Sequence, residues 1–371
     1  MNGVPGVNRD QNRTLGKGVG PRALTVGPTR LRARWLLIAT GAVIVALIAG
    51  IAFGPVSLPP GAVAVELVDR IPGVAVHSGL EERQAAIIWE LRLPRVVLGL
   101  LVGAMLALAG GCYQGVFRNP LADPYLLGVA AGAGLGTTVA IVLRGGNDMS
   151  ISSVFLPLAA FVGALVGVGM TYLLGASSGG HRSTATLILA GVAVASFLTA
   201  VQTYLQQRHV DTLREVYSWM LGRLSVAGWR EVLLLLPYVA FSAIVILLHR
   251  RTLDVMSVGD EEAGSLGLHP ERVRYLLLVV CSLGTAAAVA VSGLIGFVGI
   301  IVPHTIRLLV GHSYRVILPL CALFGAAFLV LADLAARVVL APAELPIGVV
   351  TAFLGAPFFV LVMRTAKRIS V

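Results

Sequence analysis

Residues 96–124 read VVLGLLVGAMLALAGGCYQGVFRNPLADP, an apolar run that ends in a string with two prolines four positions apart. The run carries no charged side chain before Arg118. A helix of about 20 apolar residues crosses a hydrocarbon core of about 30 Å, so this stretch is long enough to span a bilayer. Similar stretches recur along the chain, and the sequence therefore predicts an all-α integral membrane protein.

The composition of the whole chain supports this prediction. Of its 371 residues, 57% are hydrophobic and only 12% are charged, and the mean hydropathy is +0.89. A soluble protein of this length could not cover so much apolar surface with so few charged side chains. We predict ten spans, of which the eighth is the weakest because it is short: 35–54, 93–115, 124–143, 154–175, 184–205, 230–249, 275–293, 297–311, 316–336 and 346–364.

The basic residues lie mainly in the connections between the apolar runs. The formal net charge is +10, and 26 of the 28 basic residues are arginines. Their position beside the spans is typical of topogenic charge near anionic lipid head groups and disfavours nucleic acid as a partner. With the N-terminus inside, the spans place 18 basic residues on the inner side and 10 on the outer side. This predicts a multi-pass protein of the bacterial inner membrane with both termini in the cytoplasm.

The chain divides into a tail and one transmembrane domain. Residues 1–34 hold seven basic residues together with several Gly and Pro, and they lack the charge, apolar core and cleavage-site order of a signal peptide. They have too little apolar content to offset the cost of ordering. Residues 1–34 are therefore predicted to be a flexible basic cytoplasmic tail, and residues 35–371 a single transmembrane domain.

The string that closes the second span predicts a break in the helix. Pro120 and Pro124 forbid a continuous helix, and each biases the residue before it, Asn119 and Asp123, away from helical geometry. Non-helical backbone at membrane depth is tolerated only inside protein or beside a water-filled cavity, and transporters commonly use such breaks. Together with Gln114, these residues are therefore candidates for a translocation path. The alternative is an ordinary cytoplasmic turn.

A polar segment on the predicted cytoplasmic side, residues 254–270, forms the second candidate site. Its acidic start suits a helix N-terminus, where the helix dipole favours anions, and its small residues suit a groove on a partner. The alternative is a solvated loop. The residues of this candidate coupling segment are Gly259, Asp260, Glu261, Glu262, Ala263, Gly264, Leu266, Gly267 and Leu268.

Two further strings complete the set. Residues 293–307 read GLIGFVGIIVPHTIR, and Asp333-Leu-Ala-Ala-Arg337 is followed by ELPIG at 344–348 and GAPFF at 355–359. Asp333 and Arg337 lie four positions apart on one helix face, so a local ion pair is the simplest interpretation.

These four strings, in this order, resemble the FecCD-type permease subunit of the ABC importers for iron–siderophores, haem and vitamin B12. The resemblance covers residues 89–364. It implies ten helices, a homodimer with the path at its axis, two cytoplasmic ATPase subunits and an extracytoplasmic binding protein. It further implies that residues 259–268 are the coupling helix, that Ser183 and Thr184 form the cytoplasmic gate, and that Arg92, Arg95 and Arg337 dock the binding protein.

Missing motifs restrict the function further. No Gly-x-x-x-x-Gly-Lys-Ser/Thr string occurs, so ATP and Mg²⁺ are expected on partner subunits and no cofactor is assigned to this chain. No His lies at metal-ligand spacing from Cys, Glu or another His, so no metal is assigned, and the three cysteines lie inside apolar runs.

Two alternatives stay open. An ion-coupled secondary transporter usually keeps a carboxylate near the midplane, whereas Asp123 and Asp333 fall near the ends of predicted spans. A membrane enzyme would need a converging set of acid, base or nucleophile, and we identify none. The expected role is therefore a transport subunit and not an enzyme. A ferric siderophore is the first choice of substrate on family membership alone, followed by haem or cobalamin.

Overall fold

The structure, a computed structural model, describes residues 31–54, 58–70, 78–144, 152–177, 184–222, 224 and 228–369. Within these residues the regular structure is helical throughout. Most of the predicted tail, residues 1–30, lies outside the described residues.

A helix lies over each of the ten predicted spans. Seven of the helices are long and apolar enough to cross a membrane, and three are shorter. Their bounds are α1 Ala33–Ala52, α4 Leu93–Val116, α5 Val129–Arg144, α6 Ser152–Ser177, α7 Thr184–Arg208, α9 Trp229–Leu248, α12 Pro270–Ser292, α13 Val298–Val310, α14 Tyr314–Val338 and α15 Ile347–Ile369.

Short helices occupy the connections at both ends of the bundle. On the predicted outer side lie α2 Pro60–Asp69, α3 Glu82–Ala86 with a π-helical continuation Ile87–Arg92, a 3₁₀ turn Val210–Thr212, and α8 Leu213–Met220. On the predicted inner side lie α10 Arg250–Met256 and α11 Asp260–Ser265.

Helix α4 is the centre of the bundle. It packs against α14, α12, α13 and α9 and is buried along most of its length. Glycines let neighbouring backbones meet: a Cβ on Gly103 would overlap the carbonyl oxygen of Gly325, and one on Gly132 would overlap that of Gly163. Close approach of this kind gives helices in lipid their packing energy, because water does not drive their association there.

Helices α5 and α13 are the two shortest of the ten, with 16 and 13 residues. At about 1.5 Å per residue α13 is about 20 Å long, well below the thickness of a hydrocarbon core of about 30 Å. The third span begins at Val129 and not at residue 124, because Pro124 and the positive φ of Gly128 (80°) keep residues 124–128 out of the helix. Each short helix therefore follows a stretch of irregular backbone.

Candidate functional site

The first irregular stretch, residues 117–128, is called the first break here. Its two turns are closed by side chains. The Asn119 Oδ1 and the Asp123 Oδ1 each accept a hydrogen bond from the backbone N–H two residues on, at 2.9 Å and 2.7 Å. Short polar side chains favour such turns, and Pro120 and Pro124 bar a helix. The backbone is therefore irregular where the sequence predicts it.

The second break, residues 293–297, connects α12 to α13. Gly293 and Phe297 both have a positive φ, 71° and 68°. The Tyr125 hydroxyl of the first break donates to the backbone oxygen of Ile295 at 3.0 Å and accepts from its N–H at 3.1 Å. One tyrosine side chain therefore ties the two breaks together.

The helices beside the two breaks, α4 and α13, contact each other closely. The Gln114 side-chain amide donates to the backbone oxygen of Gly299 at 3.2 Å, and Arg307 donates to the Gln114 Oε1 at 2.9 Å. A Cβ on Gly110 would overlap the carbonyl oxygen of Gly299. Gly110 lies six residues before the end of α4, about 9 Å along the helix axis. The start of α13 therefore packs closely on the last turns of α4, inside the bundle.

An apolar cavity of about 640 Å³ lies beside the second break. Its lining comes from the end of α8, the second break and the first half of α15, and the residues are Met220, Leu221, Leu294, Gly296, Phe297, Gly348, Val349, Ala352, Phe353, Ala356 and Pro357. The ring of Phe297 packs directly on Gly355, where a Cβ would overlap it. This volume is that of a small-molecule pocket.

The three predicted docking arginines lie at the same end of the bundle, the predicted outer end, but they differ in access. Arg92 and Arg337 are buried. Arg92 donates to the backbone oxygens of Ile51 and Ala52 at 2.7 Å and 2.9 Å, and Arg337 donates to that of Gly50 at 2.9 Å. These carbonyls end α1, where cations are favoured. Two of the three arginines therefore fasten α1 inside the chain.

Arg95 lies closer to the surface and joins two carboxylates. Its Nε and Nη2 donate to Asp333 at 3.1 Å and 2.8 Å, and its Nη1 and Nη2 donate to Glu344 at 3.0 Å each. Asp333 also pairs with Arg337 at 3.0 Å, which is the ion pair that the sequence predicts. Together, Arg95, Asp333, Glu344 and Arg337 are called the outer cluster. It borders a recess of about 450 Å³ shared with α8.

The coupling segment lies at the opposite end of the molecule. Residues 260–265 form the short helix α11, and Asp260 pairs with Arg118 and, at 2.9 Å, with Arg274. Partial burial acts to raise the pKa of Asp260, but the hydrogen bonds and charges of Arg274 and Arg118 outweigh it, so the pKa lies below its ordinary value of 3.8. Asp260, Arg118 and Arg274 are called the inner cluster.

The outward face of the coupling segment is exposed. Ala263 is buried beneath it, whereas Glu261, Glu262 and Gly264 are exposed, and Leu266 is 72% exposed. An exposed leucine on a short polar helix is a candidate partner contact. Of the predicted gate, Ser183 lies outside the described residues, and Thr184 is the first residue of α7.

Residues 42–365 match the FecCD transport family, which accounts for most of the chain. The chain belongs to the FecCD transport family. It is a transport subunit, the permease of an ABC importer, and a multi-pass membrane protein.

Curated relatives of this FecCD permease agree with the match. This chain is 44% identical over 289 residues to the cobalamin import system permease protein BtuC of Halobacterium salinarum, and the match covers 78% of this chain and 76% of the relative. This chain is 40% identical over 286 residues to the hemin transport system permease protein HmuU of Yersinia pestis, and the match covers 76% of this chain and 84% of the relative.

A solved structure agrees as well. It is described as an inward-facing conformation of a metal-chelate type ABC transporter, and it superposes with a TM-score of 0.77 at 29% identity, covering 90% of this chain and 100% of that one. The all-helical architecture predicted from the sequence is confirmed.

Some functional candidates of this FecCD permease do not emerge from sequence reasoning. Glu344 completes the outer cluster from a loop 249 positions away from Arg95, and Tyr125 joins the breaks across 170 positions. Glu344 stands inside a string singled out in the sequence, and Tyr125 directly follows another one. Their partners become visible only when the chain is folded, because neither pair has a local spacing signal.

Proposed function

We propose that two copies of this chain form the channel of an importer for a bulky metal chelate, with a ferric siderophore as first choice. Two cytoplasmic ATPase subunits drive it, and an extracytoplasmic binding protein loads it. The observation that carries the proposal is the apolar cavity of about 640 Å³ beside the second break. The apolar lining of this cavity suits a ligand with an apolar periphery.

The relatives support the choice of a metal chelate. Their names give cobalamin, hemin and Fe(3+)-citrate as cargo, and these substances share a chelated metal. The ranking of a ferric siderophore before haem and cobalamin rests on family membership alone, and the names of the relatives keep all three as candidate substrates. Binding of the chelate by its own ligands would leave no need for metal-ligating side chains on this chain.

The exposed face of α11 supports the ATPase contact. Leu266 supplies an apolar anchor, Gly264 leaves open space around it, and Glu262 adds charge at the rim. Interface energy usually concentrates in a few anchors of this kind. We infer that α11 inserts into a groove on each ATPase subunit, while the inner cluster holds α11 against α12.

Arg95 supports the binding-protein contact. It borders the outer recess, and the planar fork of an arginine pairs with a carboxylate in two parallel bonds. Arg92 and Arg337 are buried behind Arg95 and support it indirectly. Both hold the end of α1, and Arg337 also pairs with Asp333. We retain all three as part of the dock, with Arg95 as the residue that a partner carboxylate reaches.

The mechanism that follows is alternating access. Closure of the ATPases moves the two α11 helices, and the ends of the path open in turn, the inner end at Ser183 and Thr184. A ligand shifts such an equilibrium only through its different affinity for the two states. ATP and the loaded binding protein supply this difference in affinity at opposite ends of the path. In this proposal both termini of the chain lie in the cytoplasm.

Proteoliposomes test the proposal. They contain this chain, its ATPase and its binding protein, and uptake of a ferric siderophore, haem and cobalamin is measured with ATP inside. We expect uptake of one chelate class and little uptake of the others. No uptake of any chelate, with all three components bound to one another, would refute the proposed cargo.

A further inference from the structure

The outer cluster leaves Arg95 no free edge. One edge of its guanidinium, Nε with Nη2, is taken by Asp333, and the other, Nη1 with Nη2, is taken by Glu344. A carboxylate binds a guanidinium best through two parallel bonds along one edge. A partner carboxylate can therefore bind Arg95 in this way only if one of the two internal carboxylates leaves.

The two internal carboxylates are not equally able to leave. The side chain of Asp333 is 3% exposed and also holds the buried Arg337 at 3.0 Å. Removing it would strand a buried charge, which is strongly unfavourable. The side chain of Glu344 is 32% exposed, and its ion pair among the described residues is with Arg95. Glu344 is thus the carboxylate that a partner can replace.

Room for the replacement exists beside the cluster. The recess of about 450 Å³ is lined by Arg95, Asp333 and Glu344 together with Arg214, Tyr217 and Ser218 of α8. An acidic side chain from outside can reach the edge of Arg95 through this recess. Arg214 adds a positive charge along the way, which steers an anion inward.

Glu344 is also connected to the path. It lies three residues before α15, and the next residue, Leu345, donates to the backbone oxygen of Ala336 at 2.9 Å. The first half of α15, including Gly348 and Ala352, lines the apolar cavity. The Glu344–Arg95 pair therefore holds the start of a cavity-lining helix against α4.

We propose that Glu344 is an internal stand-in for the carboxylate of the binding protein. Docking exchanges one carboxylate for another on Arg95, and the release of Glu344 removes the tie between the start of α15 and α4. The hydrogen bond from Leu345 to Ala336 stays in place, so the restraint on α15 is loosened and not abolished. No bond is lost in the exchange, so docking changes the restraint on α15 at little cost. This inference rests on the proposed docking role of Arg95.

The first test measures the affinity of the loaded binding protein for the permease–ATPase complex in nanodiscs. The Glu344→Gln variant removes the competitor, and we expect affinity to rise about fivefold, the size of one exposed pair. Glu90→Gln is the matched control, because Glu90 is exposed at the same end and the substitution removes the same charge. This control should change the affinity by less than about twofold. Equal effects of the two variants would overturn the inference.

A second variant separates exchange from simple charge. Glu344→Asp keeps the charge but shortens the side chain, so its carboxylate no longer reaches Arg95 in the same geometry. We expect this variant also to gain affinity, by about threefold. A loss of affinity would overturn the inference, and a complex that elutes intact from size exclusion shows that folding is preserved.

A third measurement reports on α15. A spin label on an Ala352→Cys variant should change its mobility when the binding protein docks, and Glu344→Gln should produce the same change without the binding protein. An unchanged label in Glu344→Gln would overturn the link to α15. The Arg95→Glu variant tells failure of the proposed dock from failure of the role of Glu344. If the binding protein still docks on this variant, the docking role of Arg95 is refuted as well as the role of Glu344.

Discussion

The charged clusters at the two ends of the bundle are centred on side chains of opposite charge. At the outer end Arg95 joins two carboxylates, whereas at the inner end Asp260 joins two arginines. The side chain of Asp333 is 3% exposed and that of Asp260 is 47% exposed. Removing one partner of a buried ion pair costs much folding free energy, whereas an exposed ion pair contributes little to it.

The two clusters therefore differ in role: the outer cluster holds helices of this chain together, and the inner cluster positions a helix for contact with a partner. The outer cluster fixes α1, α4 and α14 to one another, so any partner must exchange with bonds that are already made. The inner cluster only positions α11, and its neighbour Leu266 stays open for a partner without exchange. The two ends should therefore respond differently to substitution.

The largest effect is expected at Asp333. The Asp333→Asn variant leaves the buried Arg337 without its carboxylate, and we expect a loss of about 3–5 kcal/mol in unfolding free energy. Denaturation in detergent, followed by size exclusion, measures this loss. Glu90→Gln serves as the exposed control, and a loss of under about 1 kcal/mol for Asp333→Asn would contradict the holding role.

The next effect is expected at the coupling segment. Replacing Glu262, Gly264 and Leu266 by Ala, Val and Asp should weaken ATPase coupling by at least about 2 kcal/mol, roughly thirtyfold, because interface anchors carry most binding energy. The open space around Gly264 accepts a side chain within this subunit, so the purified protein should stay folded and assembled. Unchanged stimulation of ATP hydrolysis would refute the docking role of α11.

A smaller effect is expected where the two breaks meet. Tyr125→Phe removes the hydroxyl that serves both the N–H and the carbonyl of the buried Ile295, and we expect a loss of about 1–2 kcal/mol in stability. The control is Tyr238→Phe on α9, where the ring packs on Phe161. Equal losses for the two variants would show that the hydroxyl of Tyr125 does not join the breaks.

The smallest effect is expected at Asp260. Its pKa is lowered in the folded state, so its stabilising contribution is present at neutral pH and disappears as the pH falls below about 4 through the folded pKa. Because the group is half exposed, solvent screening keeps the contribution below about 1 kcal/mol. Comparing Asp260→Asn with the unchanged chain from pH 7 to pH 3 should show a difference that vanishes in acid.

Sequence reasoning predicted the helices better than their irregular parts. A helix lies over each of the ten apolar stretches, and seven of these helices are long and apolar enough to cross a membrane. Pro120 with Pro124 located the first break. The start of α5 was placed five residues early, since hydropathy does not distinguish Pro124–Gly128 from a helix turn. The left-handed backbone of Phe297 carries no local sequence signal, and its ring packs on Gly355, 58 positions away.

The candidate sites were predictable in kind and only partly in detail. Charge counting placed Arg92, Arg95 and Arg337 at the outer end, but it could not tell an exposed arginine from a buried one. Their burial depends on the carbonyls that end α1, which lie about forty positions or more from each of the buried pair. The pair of Asp333 with Arg337 was predictable, because four positions make one helix turn.

Uptake into proteoliposomes under two driving forces tests the central claim most directly. Vesicles with this chain, its ATPase and its loaded binding protein receive either ATP inside or a proton or sodium gradient without nucleotide. We predict chelate uptake with ATP, its loss with vanadate, and its loss in the variant with Glu262, Gly264 and Leu266 replaced. Uptake that follows the ion gradient without ATP and resists vanadate would contradict the account.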